Sequence, residues 1–229
     1  MSREQVLGRI RAALDHDGPL SARAASTADR LARPPEHPLP ARARRPASEL
    51  VPQFVAIQSG LGVDLIEVAS PADIPAAIAG YLSGLGSPCR LRRGSDPFLA
   101  ALPWRTIPHL VVNEGAARDG DTVGLSRAVA GVAETGTLAL ASGANNPVTL
   151  GFVPDTHIVV LRADTIVGSY EAASALVRAA ADGAMPRTLN LVTGASRTGD
   201  IGGKIVMGAH GPRRLAVILL PGGALNLTS

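Results

Sequence analysis

From Ala47 to Leu220 the chain repeats one pattern: a short, almost continuously apolar run, a polar break, then a segment with helical spacing. Thr156–Leu161 and Leu215–Leu220 are the clearest runs, and Val63–Val68 is expected as a further strand. Apolar runs with no alternation are the mark of strands buried on both faces, and strands separated by helices build parallel sheets. The pattern therefore predicts one α/β domain, with a mostly parallel sheet covered on both faces.

Around those runs the remaining elements fall into place. Leu50, Val51, Phe54, Val55 and Ile57 predict a helix starting at Ser48 and ending near Gly60. Ser70-Pro71 opens a second through Ile74, Ile78 and Leu82, since proline suits the first helical position. Cys89–Arg92, His109–Asn113 and Thr188–Val192 are expected as further strands, Val132–Ala141 as a single central strand, and Glu171–Ala181 as a helix.

The first 46 residues differ. Residues 2–14 predict an amphipathic helix, with Ser2 and Gln5 at capping-box spacing and Val6, Leu7, Ile10 and Leu14 on one face. Residues 15–47 lose periodicity and hold six prolines and the cluster Arg42, Arg44, Arg45, so a linker or surface strap is expected. The expected division is 1–46, a helix with a Pro/Arg-rich linker, and 47–229, the α/β domain. The helix either packs on its own domain or docks on a partner subunit.

Charge argues against nucleic acid. The formal net charge is +3, with one lysine, Lys204, among 22 basic residues. Residues 1–50 hold nine basic and six acidic groups, so the rest of the chain is neutral. Its six aromatics are scattered, without the clustered cations and stacking rings that backbone binding uses. The longest apolar run, Leu215–Leu220, is far too short to span a membrane, and residues 1–5 show no secretory leader. A cytoplasmic protein is expected. The one cysteine, Cys89, excludes an internal disulfide, a Cys-rich zinc site and an iron–sulfur cluster held by this chain alone. It is expected to be an inert buried thiol.

Familiar motifs fail on inspection. Around Gly199–Ile205, Thr198 stands where a P-loop needs its first glycine, and Ile205 where it needs a hydroxyl. Gly194–Thr198 lacks the second glycine of a nucleophile elbow, no GxGxxG follows a strand, and the five histidines have no metal-ligand spacing.

Three polar segments remain. In Ala133-Glu134-Thr135-Gly136-Thr137, a carboxylate between apolar neighbours is costly unless it has a task. Glu134 is either a base, nucleophile or substrate anchor, or a group that satisfies a tight turn. In Thr193–Asp200, following a strand, Gly194, Ser196, Thr198 and Asp200 surround Arg197. Arg197 either grips an anion or pairs with Asp200 to pin the loop. In Gly208–Pro212, His210 is either a proton donor or a turn residue. The expected site combines Glu134 and His210 as catalytic groups with Thr135, Gly136, Thr137, Gly194, Ser196, Arg197, Thr198 and Asp200 as ligand-binding groups. No metal is assigned. Glu134, Thr135, Thr137, Ser196, Arg197 and Asp200 are expected to meet in one cleft at the carboxyl ends of the sheet strands.

These segments, with Pro154-Asp155-Thr156-His157-Ile158-Val159-Val160 between them, occur in an order that resembles the lactate utilisation domain family, over roughly Val51 to Leu220. The resemblance implies the layered α/β fold of the NagB/ribose-5-phosphate isomerase/CoA-transferase superfamily. It also implies a part in oxidising L-lactate to pyruvate, beside two partner proteins carrying iron–sulfur centres. With no flavin or nicotinamide fingerprint and one thiol, this chain is expected to hold no cofactor and to be a non-redox subunit, with a small carboxylate as ligand. The alternative is an autonomous CoA-transferase-like or sugar-phosphate-isomerase-like enzyme using Glu134.

Overall fold

A computed structural model describes residues 2–15, 20–33, 37–201 and 204–223, without the side chains of 15, 20, 200, 201, 204 and 205. It divides into two compact units, 1–39 and 40–229. In the first, α1 (Arg3–Asp15) and α2 (Leu20–Ala32) are helices of 13 residues each. The Ser2–Gln5 capping box is formed: the Ser2 amide donates to Gln5 Oε1, and the Gln5 amide to Ser2 Oγ. Helix α2 lies where a linker was expected. Its alanine, leucine and arginine content has high helix propensity, and Pro19 and Pro34 bracket it rather than interrupt it.

The second unit begins with a single 3₁₀ turn, Ala41–Ala43. Ala43 is buried, and its carbonyl lies so close to Gly168 that a Cβ there would approach to 2.1 Å. The strap 40–46 thus packs with the α/β body, upstream of the expected boundary at Ala47. Then follow α3 (Ala47–Gly60), β1 (Asp64–Glu67), α4 (Ile74–Gly84), β2 (Arg90–Arg93), the single turn α5 (Pro97–Ala100), β3 (Val111–Glu114) and β4 (Val123–Arg127). Pro46, not Ser48, occupies the N-cap of α3. Ser70 and Asp73 form a capping box ahead of α4.

The remaining elements are β5 (Ala130–Val132), β6 (Thr137–Ala141), β7 (Thr156–Arg162), β8 (Ile166–Val167), α6 (Tyr170–Ala179), β9 (Leu189–Val192), β10 (Arg197–Ile201), β11 (Lys204–Met207) and β12 (Arg214–Leu220). The central sheet has six strands in the order β1-β12-β7-β4-β2-β3, and every pairing is parallel. Side chains of a strand alternate between faces, and here both faces are cores. Ile158, Val160, Ala216 and Ile218 pack with α4, while Val159, Leu161, Val217 and Leu219 pack with Phe54 of α3. That two-sided burial is what the continuous apolar runs require.

Four expectations are corrected. Val132–Ala141 is a hairpin, not one strand: β5 and β6 pair antiparallel around residues 133–136, and Gly136 turns the chain with φ +67°. The hairpin belongs to a second sheet, β8-β5-β6-β9. Strand β9 pairs antiparallel with β6, so Thr193 follows a strand of this smaller sheet rather than of the central one. Residues 197–201, expected as a loop, pair antiparallel with β11 in a two-stranded ribbon. Cys89 is half-buried rather than enclosed.

Candidate functional site

The β5–β6 turn is densely hydrogen-bonded. The Ala133 amide donates to the Val167 carbonyl at 2.7 Å, and the Gly136 carbonyl accepts from Gln58 Nε2. A Cβ on Gly136 would sit 2.8 Å from Ile57 Cγ2, so glycine is needed for close approach to α3 as well as for the turn. Glu134 is nearly enclosed, with 9% of its side chain exposed, and its carboxylate meets Arg42 at 2.8 Å. The Glu134–Arg42 pair ties the turn to the strap.

Four hydroxyls gather beside it. Thr137 Oγ1 shares hydrogen bonds with Thr193 Oγ1 at 2.6 Å, Thr135 Oγ1 at 2.7 Å and Tyr170 Oη at 2.9 Å. Thr135 also reaches Tyr170 at 2.9 Å. The cluster joins β6, α6 and the end of β9, and satisfies the buried Thr137 inside the protein.

The other predicted residues lie along the ribbon. Gly194 has φ +82° beside Leu61. The Ser196 amide donates to the Pro212 carbonyl, and the Ser196 carbonyl accepts from the Gly208 amide. Arg197 Nη2 donates to the Leu61 carbonyl at 2.7 Å, supplying a donor where a helix C-terminus leaves carbonyls unpaired. Thr198 registers with Val206. The Asp200 side chain, and with it the proposed Arg197–Asp200 pair, lies outside the described residues. His210 is exposed in the turn before β12. Thr135, Gly136 and Thr137 are therefore brought together with Thr193 and Tyr170. Glu134 and Arg197 take separate partners, Arg42 and Leu61, and no contact joins them among the described residues.

A cavity of about 580 Å³ opens elsewhere, where β4 and β7 end. Open parallel sheets collect ligands at the carboxyl ends of their strands, because strand ends and following loops converge there. Arg127 is the last residue of β4 and Arg162 the last of β7, and both line the cavity. Arg127 donates through Nε and Nη2 to Asp96 Oδ2 at 3.0 and 2.9 Å, and its guanidinium lies 5.5 Å above the Phe98 ring centre. Asp96 also caps α5 through the Leu99 amide, so the acid that fixes Arg127 is itself fixed. Arg162 is held by Asp164 and the Gly223 carbonyl. The hydrogen bond to Asp164 raises its pKa, and Arg162 in turn lowers that of the Asp164 carboxyl.

The rest of the wall comes from the segment 142–146 and from α6. Asn146 Nδ2 donates to the Ala141 carbonyl, Ser95 Oγ to Asn145 Oδ1, and the Thr188 amide to Ser142 Oγ. Leu176, Val177 and Ala180 supply an apolar side. Behind the strands, buried His157 on β7 bonds through Nε2 to Ser126 Oγ at 3.0 Å. Among the described residues, none of those expected at the site lines this cavity. An available signal was an arginine closing an apolar run, visible at Arg162 after Ile158–Leu161. Among the described residues no group of three or more His, Cys, Asp or Glu is placed to hold a metal, and no helix is long and apolar enough to cross a membrane.

Comparison with known proteins bears on the same region. Residues 120–220, which run from the start of β4 to the end of β12, match the LUD domain model. A protein of Deinococcus radiodurans named Lactate utilization protein C is 33% identical over 193 residues, spanning 81% of this chain and 85% of that one. The chain belongs to the LUD domain family. A Bacillus subtilis protein of the same name is 33% identical over 100 residues, 43% of this chain and 42% of its own length. A crystal structure of a DUF162 family protein from Deinococcus radiodurans aligns with a TM-score of 0.58 and 28% identity. It covers 77% of this chain and 99% of its own.

Proposed function

We propose that this chain serves lactate utilisation as a non-redox subunit of a cytoplasmic complex oxidising L-lactate to pyruvate, and that it holds an organic carboxylate in the cavity at the ends of β4 and β7. The relatives' shared name supports the setting. The single cysteine supports assigning iron–sulfur chemistry to two partner proteins, through which the electrons would leave. A fold of the NagB/ribose-5-phosphate isomerase/CoA-transferase type belongs to the same reading.

The observation that carries the ligand is the pair of strand-ending arginines. Each is oriented by its own aspartate, Arg127 by Asp96 and Arg162 by Asp164, through the Nε and Nη2 edge. Their Nη1 groups, which have no acceptor among the described residues, are the donors for a carboxylate. Here the protein binds and orients; no bond is made or broken by these residues.

The alternative, an autonomous transferase or isomerase using Glu134, is disfavoured by the 2.8 Å pairing of that carboxylate with Arg42. A thermal-shift panel of lactate, pyruvate and longer 2-oxo acids separates the two. A ligand at 100 times its Kd adds about 2.7 kcal/mol. Arg127→Gln is expected to remove the shift while Glu134→Gln keeps it; the reverse result would favour the alternative.

A further inference from the structure

We infer that the ligand of this cavity is an organic anion with an apolar body, and that a three-carbon acid does not fill the site. The inference rests on the anion reading above and adds the class of molecule. A volume of about 580 Å³ lies within the range, roughly 300–1,000 Å³, that encloses drug-sized ligands. Lactate has six heavy atoms and displaces only a few waters, at about 30 Å³ each. Most of the cavity would stay wet around it.

The lining is divided. Arg127 and Arg162 close the strand-end side, while Leu176, Val177 and Ala180 of the α6 region, with Val129, present hydrocarbon. A small acid uses only the first side. A ligand with an anionic head on the guanidinium donors and a hydrocarbon or heterocyclic body against α6 uses both. Carboxylate and phosphate heads share the chemistry that a guanidinium recognises, so the source is either a longer-chain 2-oxo or 2-hydroxy acid or a mononucleotide.

Calorimetry on the full chain tests this with straight-chain 2-oxo acids of three to eight carbons, and with AMP against inorganic phosphate. Each added methylene that reaches the α6 wall is expected to tighten binding by up to about fourfold. Ala180 is exposed, so Ala180→Asp places a charge on the wall without disturbing the core. It is expected to flatten the chain-length series, the longer acids losing more affinity than pyruvate. AMP binding tighter than phosphate by tenfold or more, and lost in Ala180→Asp, supports the same division with a nucleotide body. A flat series whose binding is still lost in Arg127→Gln overturns the inference and leaves the anion site standing. No binding of any anion by the unmodified chain overturns both.

Discussion

His157 carries the strongest consequence of burial at a single residue. It is enclosed between the sheets, and burial lowers its pKa to about 4. The folded value lies below the unfolded one of about 6.5, so the unfolded chain binds the proton more readily. The resulting stabilisation is present above pH 6.5 and is lost as the pH falls through about 4. The gap corresponds to about 3 kcal/mol. Urea midpoints followed from pH 7 to pH 4 should therefore fall more steeply in the unmodified chain than in His157→Gln, whose side chain does not titrate. Parallel slopes would show that the acid sensitivity belongs to other groups. The same scale explains why polar residues misled as site markers. Glu134, Thr135 and Thr137 were legible as an expensive cluster, but sequence does not reveal that Arg42, Tyr170 and Thr193 satisfy it from distant positions. A buried polar group signals a partner, and that partner is as readily a side chain of the same fold as a ligand.

At the scale of elements, legibility followed hydrophobic continuity. Strands β7 and β12 announced themselves because both their faces are buried, while edge strand β1 sets the half-buried Leu65 and Ile66 against opposite cores. Strand β4 was missed, since Val-Gly-Leu-Ser-Arg interrupts its apolar face with the residues that meet its neighbours. Gly124 leaves room for the Leu150 carbonyl, which a Cβ would approach to 2.1 Å, and Ser126 serves His157. Missing β4 meant missing Arg127 and the cavity at its end. Close backbone approach also shapes that cavity. Gly94, just after β2, packs under the segment 142–146, and a Cβ there would lie 1.9 Å from the Asn145 carbonyl oxygen. That neighbour is backbone and gives way only if the segment moves. Gly94→Ala is accordingly expected to cost about 1–3 kcal/mol by overpacking and to weaken anion binding together with stability. Denaturant unfolding and the ligand-induced thermal shift read the two effects separately. A variant that loses stability but keeps full binding would place the 142–146 segment outside the ligand's reach.

Across the whole molecule, the α/β character was readable from residue 47 onward, but the unit's edge was not. Proline and arginine made 40–46 look like linker. Yet Ala43 is buried, Gln53 Nε2 donates to the Arg42 carbonyl at 3.0 Å, and Arg42 reaches Glu134. Composition reports that a segment forms no regular element, not whether the segment is packed. Two truncations divide these cases. A chain of residues 40–229 retains both cores and the strap, so it should unfold cooperatively with nearly the midpoint of the full chain. A chain of residues 47–229 loses the strap. The Arg42–Glu134 pair is weak because Arg42 is 64% exposed, but without it the nearly enclosed Glu134 carboxylate is left without its cation. Together with the lost packing at Ala43, this should lower stability by on the order of 1–3 kcal/mol. Equal midpoints for the two truncated chains would return residues 40–46 to the status of a linker. A 40–229 chain that fails to unfold cooperatively would make α1 and α2 part of the same folding unit.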